Sequence, residues 1–364
     1  MSKIPYKITG FNHCEFYVSN AKQSAYYFNN ALGFETIAYK GLETGNRNQV
    51  SYVVNQGKIN FILTSPLNHN TKISEHLLKH GDGIKDVAFT VDSSEIAWKT
   101  SVDRGAKSVS NPMKISDKFG EAIISSVKTF GDTVHTFVER ENYSGPFLPG
   151  FSPKNSDKSS QPIGLVHIDH VVGNQPENNM IEICEFYENI FGWHRFWTID
   201  DEDITTEFSS LRSVVMANDN ETIKIPINEP APGLKKSQIQ EFIDYYGSAG
   251  IQHIALSTKN IIQTVKIMRE NGVEFLETPS TYYKDLSNRV GDIDEDINTL
   301  SELGILADRD ENGYMLQIFT SPIQDRPTLF LEIIQREGSN SFGKGNFKAL
   351  FESIEKEQEK RGNL

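Results

Sequence analysis

Phe11-Asn-His-Cys-Glu-Phe-Tyr-Val-Ser-Asn20, near the start of the chain, and Ile168-Asp-His-Val-Val-Gly-Asn174, in its middle, begin two similar segments. Each is followed by a stretch with apolar residues at the i, i+3, i+4 and i+7 spacing of an amphipathic helix. Each helical stretch ends at a glycine, Gly33 or Gly192, where a helix terminus favours a residue with left-handed backbone geometry. The two segments therefore predict the same strand, helix, strand unit, present twice.

Two further pairs of segments repeat between the halves of the chain. Gly83-Ile-Lys-Asp-Val-Ala-Phe-Thr-Val91 is similar to Gly250-Ile-Gln-His-Ile-Ala-Leu-Ser-Thr258, and a helical pattern follows each. Thr133-Val-His-Thr-Phe-Val-Glu-Arg140 and Thr328-Leu-Phe-Leu-Glu-Ile-Ile-Gln-Arg336 both have the composition of strands. Four similar modules in tandem predict two cups of mixed β-sheet with helices outside, and the concave face of each cup is a natural site.

The clearest interruption of the apolar pattern lies at 141–164. There Pro, Gly and Ser replace the periodicity found on both sides, which is typical of a linker. We therefore expect two domains, at 1–152 and at 153–364, and a length of 364 residues is sufficient for both at about 150 residues each.

The composition disfavours several classes of protein. Thirty-six Lys and Arg against 49 Asp and Glu give a net charge of −13, which repels nucleic-acid backbones and anionic lipid headgroups. No run approaches the roughly 18 apolar residues of a membrane-spanning helix, and the first residues lack the apolar core of a secretory signal, so we expect a cytoplasmic protein. Cys14 and Cys184 form no CxxC pair and are expected to be small buried residues.

Three repeated strand positions differ chemically between the halves. The N-terminal positions hold His13, Asp86 and Thr136. The C-terminal positions hold His170, His253 and Glu332. Threonine is a poor ligand for a divalent metal, so we expect the N-terminal domain to bind none. Two imidazoles and one carboxylate form the facial triad favoured by non-haem Fe(II).

The surroundings of Glu332 support this hypothesis. It lies within Leu329-Phe-Leu-Glu-Ile-Ile334, where an isolated buried carboxylate would face a desolvation penalty that a bound cation removes. A single histidine in an apolar strand is more often a hydrogen-bonded core residue. The metal site is preferred because three candidates occupy corresponding ends of repeated strands.

Two other motifs are weaker. His76 and His80 have i, i+4 spacing, but a zinc protease motif needs Glu directly after the first His, and Glu75 precedes it. We expect a short capped surface helix there. Gly343-Lys-Gly345 lacks the frame of a phosphate-binding loop.

The C-terminal segment predicts an amphipathic helix. Four apolar residues recur at helical spacing after the glycines at 343 and 345: Phe347, Leu350, Phe351 and Ile354. Such a helix could cover the mouth of the C-terminal cup as a lid that opens at the glycines, although ordinary core packing explains the same residues equally well.

Nine stretches distributed over nearly the whole chain carry a family resemblance. They are His80-Gly-Asp-Gly-Ile-Lys-Asp-Val-Ala-Phe89, Gly145-Pro-Phe-Leu-Pro-Gly150, Ile168-Asp-His-Val-Val-Gly-Asn174, Pro226-Ile-Asn-Glu-Pro-Ala231, Lys236-Ser-Gln-Ile-Gln240, Gly250-Ile-Gln-His-Ile-Ala-Leu256, Leu316-Gln-Ile-Phe-Thr320, Phe330-Leu-Glu-Ile-Ile-Gln-Arg336 and Phe342-Gly-Lys-Gly-Asn-Phe347. Together they resemble the 4-hydroxyphenylpyruvate dioxygenase family of the vicinal-oxygen-chelate superfamily. The resemblance implies an α+β fold of tandem βαβββ modules, which form two open mixed β-barrels with outer helices and a C-terminal helix.

The resemblance also implies a reaction and a set of site residues. Fe(II), held by His170, His253 and Glu332, would convert 4-hydroxyphenylpyruvate and O2 into homogentisate and CO2, a step of tyrosine and phenylalanine catabolism. The expected catalytic residues are Asn228, Gln238 and Gln317. The expected substrate-binding residues are Ser213, Gln252, Phe319, Phe330, Phe342 and Phe347. Members of the family are usually homodimers or homotetramers.

Three alternatives stay open at this point. A 4-hydroxymandelate synthase would use the same triad and substrate but hydroxylate the benzylic carbon, although Asn228 resembles the ring-hydroxylating branch. An extradiol catechol dioxygenase would act on catechols instead of arylpyruvates. A non-enzymatic module on the same cups would bind aromatic ligands without any metal.

Overall fold

The computed structural model describes residues 4–154, 162–199 and 210–363. Residues 155–161, which belong to the linker predicted at 141–164, lie outside the described residues. The division into domains at 152/153 therefore stays a prediction.

The N-terminal half consists of two similar modules that share a nine-stranded sheet. The first module contains β1 (Ile8–Tyr17), α1 (Ala21–Leu32), β2 (Glu35–Lys40), β3 (Gln49–Gln56) and β4 (Ile59–Pro66). After α2 (Lys72–His80), the second contains β5 (Gly83–Val91), α3 (Ser94–Asp103), β6 (Ser108–Asp117), β7 (Gly120–Lys128) and β8 (Val134–Glu139). The short strand β9 (Ser152–Pro153) pairs with β2 at one edge.

The C-terminal half repeats this plan in an eight-stranded sheet. Its first module contains β10 (Leu165–Asn174), α4 (Met180–Phe191), β11 (His194–Ile199), β12 (Ser210–Ala217) and β13 (Lys224–Ala231). After α5 (Gln238–Tyr246), the second contains β14 (Gly250–Thr258), α6 (Ile261–Glu270), α7 (Leu286–Val290), α8 (Ile297–Leu303), β15 (Leu306–Asp310), β16 (Gly313–Phe319) and β17 (Phe330–Glu337). The helix α9 (Phe347–Arg361) follows. Short 3-10 helices lie at Leu42–Thr44, Ser280–Asp285 and Lys344–Asn346.

The two sheets have the same pairing register at the repeated positions. In each half the first strand pairs in parallel with the fourth and antiparallel with the fifth. His13 and His170 lie opposite an alanine of that antiparallel neighbour. The pairing of β5 with β8 matches that of β14 with β17, so Thr136 and Glu332 are also equivalent. The predicted α+β fold, with tandem βαβββ modules in two curved mixed sheets and helices outside, is confirmed.

The boundaries of the first helix of each half follow from local chemistry. The Asn20 side chain accepts a hydrogen bond from the Gln23 backbone N–H at the start of α1. Gly33 and Gly192 end α1 and α4 with φ of 68° and 67°, a backbone conformation that other residues adopt only at a cost. The predicted helix ends are therefore confirmed.

Two expectations from the composition can be compared with the structure. Cys14 and Cys184 are free and fully buried, as predicted. Among the helices of the described ranges, none has the length and apolar character required to cross a membrane.

The expectation of a surface helix around His76 and His80 is only half right. The helix α2 is present and Thr71 caps it, but both histidines are buried. The His80 ring stacks on Tyr246 of α5 at 4.3 Å, and its Nε2 lies 3.0 Å from the Asp132 carboxylate. The i, i+4 pair therefore marks a helix face packed against α5, and both nitrogens of the buried His80 have hydrogen-bond partners.

A buried histidine joins the two halves of the chain. His135 Nδ1 lies 2.8 Å from the Val87 carbonyl oxygen, which can only accept, so Nδ1 carries the proton. Its Nε2 then accepts from the Tyr187 hydroxyl of α4, also at 2.8 Å. Because Nε2 accepts, this bridge requires the neutral imidazole. Burial favours that form, since it lowers the pKa of His135 to about 4.

Stability should therefore fall in acid. The pKa of His135 is about 4 in the folded protein against 6.5 for an ordinary histidine, so its stabilising contribution is complete above pH 6.5 and is lost as the pH falls towards 4. Between pH 7 and pH 5 this one group should reduce the free energy of unfolding by about 2 kcal/mol. Urea titrations at both pH values measure the change.

The variant His135→Gln supplies the control, because glutamine can hydrogen-bond but does not titrate. His13 and His76, whose pKa values burial lowers to about 3, contribute in the same direction and are unchanged in this variant. The loss of stability between pH 7 and pH 5 should be smaller in the variant. An identical loss in both proteins would contradict the assignment to His135.

Candidate metal centre

Three neighbouring strands in the middle of the second sheet position the candidate ligands. His170 lies on β10, His253 on β14 and Glu332 on β17, and these strands are adjacent in the order β10-β14-β17. All three side chains are buried. Strands paired on both sides hold their side chains more rigidly than loops do, which suits a site of fixed geometry.

The three side chains converge on one point. Glu332 Oε2 lies 3.2 Å from His170 Nε2 and 3.3 Å from His253 Nε2, and the three potential ligand atoms lie within 4.8 Å of one another. Two ligands bound about 2.1 Å from one ion at right angles are about 3 Å apart. The spacing therefore fits a shared ion, and no other group of His, Cys, Asp or Glu within the described residues fits one in this way.

The charges of the three groups also suit a cation. Burial alone would raise the pKa of Glu332, but His170 and His253 outweigh it and lower this pKa to about 2. Burial lowers the pKa of His253 below 6.5, despite the carboxylate nearby. For His170 burial acts in the same direction, but Glu332 and Asp169 outweigh it and raise the pKa. An anionic oxygen and two imidazole nitrogens therefore face the space between them.

Hydrogen bonds orient both imidazoles. His170 Nδ1 lies 2.7 Å from Asp169 Oδ1, and His253 Nδ1 lies 3.1 Å from Gln252 Oε1. Because both oxygens accept, each Nδ1 carries a proton, and Nε2 is the ring nitrogen that a bound cation would coordinate. Gln252 is itself held through its Nε2, which donates to Gln238 Oε1 at 3.3 Å.

The candidate ligands form one wall of a small cavity. Its lining is mainly apolar and aromatic, with few polar groups, as is usual for small-molecule sites. Six residues expected from the sequence to act in catalysis or substrate binding line it: Ser213, Asn228, Gln317, Phe319, Phe342 and Phe347.

The other three expected residues lie behind His253. Gln238, Gln252 and Phe330 line an adjoining cavity beneath α9. Phe330 stacks on the His253 ring with centroids 4.8 Å apart and planes at 19°. Within the described structure Phe330 and Gln252 contact His253, Gln238 contacts Gln252, and none of the three lines the main cavity.

Gln317 presents a polar group that the protein leaves unused. Its Oε1 is buried and has no hydrogen-bond partner among the described residues. Gly343 lies directly over it, and a Cβ at this position would be 2.7 Å from Oε1. Gly343 also has φ of 76°, so both space and backbone geometry require glycine there. The result is an acceptor held at the cavity wall.

Helix α9 lies against the cavity, as its apolar pattern indicates. Phe347 and Leu350 contribute to the lining, and Phe351 and Ile354 are buried below them. The helix therefore covers this side of the site. Its opening as a lid stays a prediction.

Sequence reasoning missed several residues of the site. Trp197 of β11 lines the cavity, with its ring 5.7 Å from Phe342 and 6.1 Å from Phe347. A tryptophan in a strand indicates a core residue, and no local signal identifies this one. Asp169 and Arg336 were also missed, although a carboxylate directly before His170 and an arginine on the strand of Glu332 were usable signals.

The equivalent positions of the N-terminal half are arranged differently. The Asp86 carboxylate accepts hydrogen bonds from the Thr136 backbone N–H, at 3.0 Å, and from the Thr136 hydroxyl. Burial raises the pKa of Asp86 to about 7. Phe147 packs edge-on against His13 at 5.3 Å, and together with Leu148 it belongs to the apolar cluster inside this cup. The chain itself occupies the space that is a cavity in the C-terminal half.

Family models match both halves of the chain. Residues 3–146 match the model described as hydroxyphenylpyruvate dioxygenase, N-terminal. Residues 167–318 match the model of the glyoxalase/bleomycin resistance protein/dioxygenase superfamily.

Relatives match over nearly the whole length. The chain is 51% identical to a 4-hydroxyphenylpyruvate dioxygenase of Xenopus tropicalis, over 98% of this chain and 93% of that protein. It is 48% identical to one of Dictyostelium discoideum, over 98% of this chain and 100% of that protein. Among solved structures, a mutant 4-hydroxymandelate synthase from Streptomyces coelicolor is similar, with 28% identity, a TM-score of 0.85 and coverage of 96% and 99%. The chain therefore belongs to the 4-hydroxyphenylpyruvate dioxygenase family.

Proposed function

We propose that the protein is an Fe(II)-dependent dioxygenase that converts 4-hydroxyphenylpyruvate and O2 into homogentisate and CO2. The observation that carries this proposal is the convergence of His170, His253 and Glu332 on the wall of a mainly apolar cavity with aromatic side chains. Family membership at about 50% identity supports the choice of substrate.

The donor set supports iron as the metal. Two imidazoles and one carboxylate on one face are typical of non-haem Fe(II) sites that keep positions open for substrate and O2. When bound, Fe(II) would supply those positions and the electrons that activate O2. The protein groups that would hold it are the Nε2 atoms of His170 and His253 and the carboxylate of Glu332.

The cavity matches the two ends of the substrate. The keto acid end is anionic and suits the neighbourhood of a bound cation, whereas the ring is apolar. Phe319, Phe342 and Phe347 offer aromatic faces and edges for that ring. Contacts at both ends of the substrate would hold its ring close to the metal. This position is needed because one molecule supplies both the carboxylate that leaves as CO2 and the ring that is oxidised.

Polar residues on the cavity wall can orient the substrate. Gln317 Oε1 is a buried acceptor without a partner in the described part of the chain, so it can accept from the phenol O–H. Asn228 and Ser213 lie opposite each other on paired strands β13 and β12 and both line the cavity. We assign these three residues to substrate orientation, and Gln238 and Gln252 to support of His253.

The covering helix excludes water from the reaction. Phe347 and Leu350 close the cavity on the side of α9 with apolar surface. A dry cavity strengthens the electrostatic interactions inside it and protects reactive intermediates from hydrolysis. A role as a moving lid would also admit the substrate and release the product.

Hydroxylation of the benzylic carbon is the second candidate, because a 4-hydroxymandelate synthase is a close structural neighbour. The two reactions begin with the same substrate and the same loss of CO2, and they differ in the carbon that is oxidised. We prefer ring oxidation because the two relatives at 48–51% identity are dioxygenases that carry this name. We further propose a cytoplasmic homodimer or homotetramer that acts in tyrosine and phenylalanine catabolism.

Removal of a ligand should abolish metal binding. Glu332→Ala, like His170→Ala or His253→Ala, leaves two of three ligands and should lose stoichiometric iron after anaerobic loading and dialysis. Asp86→Ala is the matched control, since Asp86 occupies the position of His253 in the other half and should leave iron content unchanged. Full iron retention in Glu332→Ala would contradict the proposed site.

The reaction can be tested with the reconstituted enzyme. After anaerobic addition of Fe(II), 4-hydroxyphenylpyruvate should drive O2 uptake, and chromatography should detect homogentisate with one CO2 per O2. Mandelate as the product would show the second candidate to be correct. O2 uptake with catechols alone would favour an extradiol enzyme, and aromatic ligand binding unaffected by iron or chelator would favour a binding module.

The contribution of α9 to substrate binding can be measured at its first turn. Phe347→Ala removes part of an aromatic wall and should raise KM about 10-fold, since the loss of a phenyl contact costs on the order of 1–2 kcal/mol. Lys348→Ala changes the neighbouring exposed residue and should leave KM unaltered. Equal KM values in both variants would contradict a substrate contact by Phe347.

A further inference from the structure

A partly buried ion pair lies directly behind one of the candidate ligands. Arg336 Nε and Nη2 donate to the two carboxylate oxygens of Asp169 at 2.8 and 2.9 Å, a bidentate arrangement. Asp169 Oδ1 also accepts from His170 Nδ1 at 2.7 Å. A continuous chain of charge-assisted hydrogen bonds therefore runs from the guanidinium to the imidazole.

Arg336 also holds the segment that closes the cavity. Its Nη1 donates to the backbone carbonyls of Ser341, at 2.6 Å, and Ser339, at 3.3 Å. From the other side, the Asp310 carboxylate accepts from the Ser341 and Asn340 backbone N–H groups at 3.0 and 2.9 Å. This closing segment, residues 339–342, leads through Gly343 into α9.

The closing segment in turn contacts the ligand histidine. Phe342 packs edge-on against the His170 ring with centroids 5.0 Å apart. The Arg336 guanidinium lies 5.4 Å from the centre of the Phe342 ring. Arg336 thus contacts both the group that orients His170 and the aromatic side chain that packs on it.

The N-terminal half contains the same framework with one difference. Arg140, equivalent to Arg336, donates to the carbonyl five residues further along, that of Gly145, at 3.3 Å. Phe147 packs edge-on against His13 much as Phe342 packs against His170. The position of Asp169, however, holds Asn12, whose Oδ1 lies 2.8 Å from His13 Nδ1.

A comparison of the two halves distinguishes residues that serve packing from residues that serve a metal site. Histidine, aromatic ring and arginine occur in both halves, so these three serve the fold of each cup. The carboxylate occurs only beside the histidine that belongs to the triad. An amide would accept the same Nδ1–H bond, so the carboxylate adds negative charge and the bidentate arginine contact, which strengthen a histidine as a metal ligand.

We propose that Asp169 and Arg336 act as one positioning unit, which directs His170 Nε2 to the metal and couples this ligand to the closing segment. The inference rests on the proposed function only in taking the triad as a metal site. Neither residue touches substrate, so both act through His170 and Phe342.

The first test exchanges Asp169 for the residue that the N-terminal half uses. Asp169→Asn should weaken Fe(II) affinity by about 10- to 100-fold, the usual effect of losing a group that orients a ligand histidine. Affinity is measured anaerobically by competition with a chromogenic chelator, and the melting temperature of the metal-free protein checks that the variant is folded. The spectrum of the Fe(II)-nitrosyl adduct should also change, because the ligand field of His170 changes.

The second test uses Arg336→Gln with Arg140→Gln as its matched control. Arg336→Gln should lower Fe(II) affinity and speed hydrogen exchange in residues 339–342, whereas Arg140→Gln should alter neither. In the double variant Asp169→Asn/Arg336→Gln, the loss of affinity should be close to that of one substitution, since the pair acts as a unit.

Wild-type Fe(II) affinity and nitrosyl spectrum in folded Asp169→Asn would overturn the proposal. Equal effects of the two arginine substitutions would also overturn it, as would losses that add fully in the double variant. Unchanged hydrogen exchange in Arg336→Gln would remove the coupling to the closing segment. None of these measurements uses turnover, so a wild-type protein that binds iron but forms no homogentisate refutes the proposed function alone.

Discussion

The site depends on one electrostatic constraint, a carboxylate buried in an apolar strand between two imidazoles. Removing Glu332 from water is costly unless positive charge or hydrogen bonds compensate. His170 and His253 compensate by lowering its pKa, and the Nδ1–H bonds to Asp169 and Gln252 turn both Nε2 atoms towards it. The strand order β10-β14-β17 brings these three groups together from distant parts of the sequence.

The two halves show how one framework yields two outcomes. In the N-terminal cup Thr136 satisfies the Asp86 carboxylate, and Phe147 and Leu148 pack inside. In the C-terminal cup Glu332, at the position of Thr136, faces two histidines, and the closing segment and α9 cover a cavity without filling it. The same packing of an aromatic ring on a histidine thus seals one cup and lines the other.

Much of this could be predicted because the chain repeats itself. The helices that end at glycines and the similar strands predicted the repeated modules. The difference between Thr136 and Glu332 at equivalent positions indicated which half holds the candidate metal ligands. The role of Trp197 could not be predicted, because only the tertiary structure shows whether a tryptophan in a strand lines a cavity or lies in the core. The burial of His76 and His80 was also missed, because their partners, Tyr246 and Asp132, come from other parts of the chain. The placement of Gln238, Gln252 and Phe330 behind His253 likewise depends on side-chain packing that a strand pattern does not encode.

The most direct test is the position of iron in crystals of the iron-loaded protein, obtained from anomalous difference maps on both sides of the iron absorption edge. We predict a single strong peak within bonding distance of His170 Nε2, His253 Nε2 and a Glu332 carboxylate oxygen. A peak elsewhere in the molecule, or one that contacts only two of these three side chains, would contradict the account.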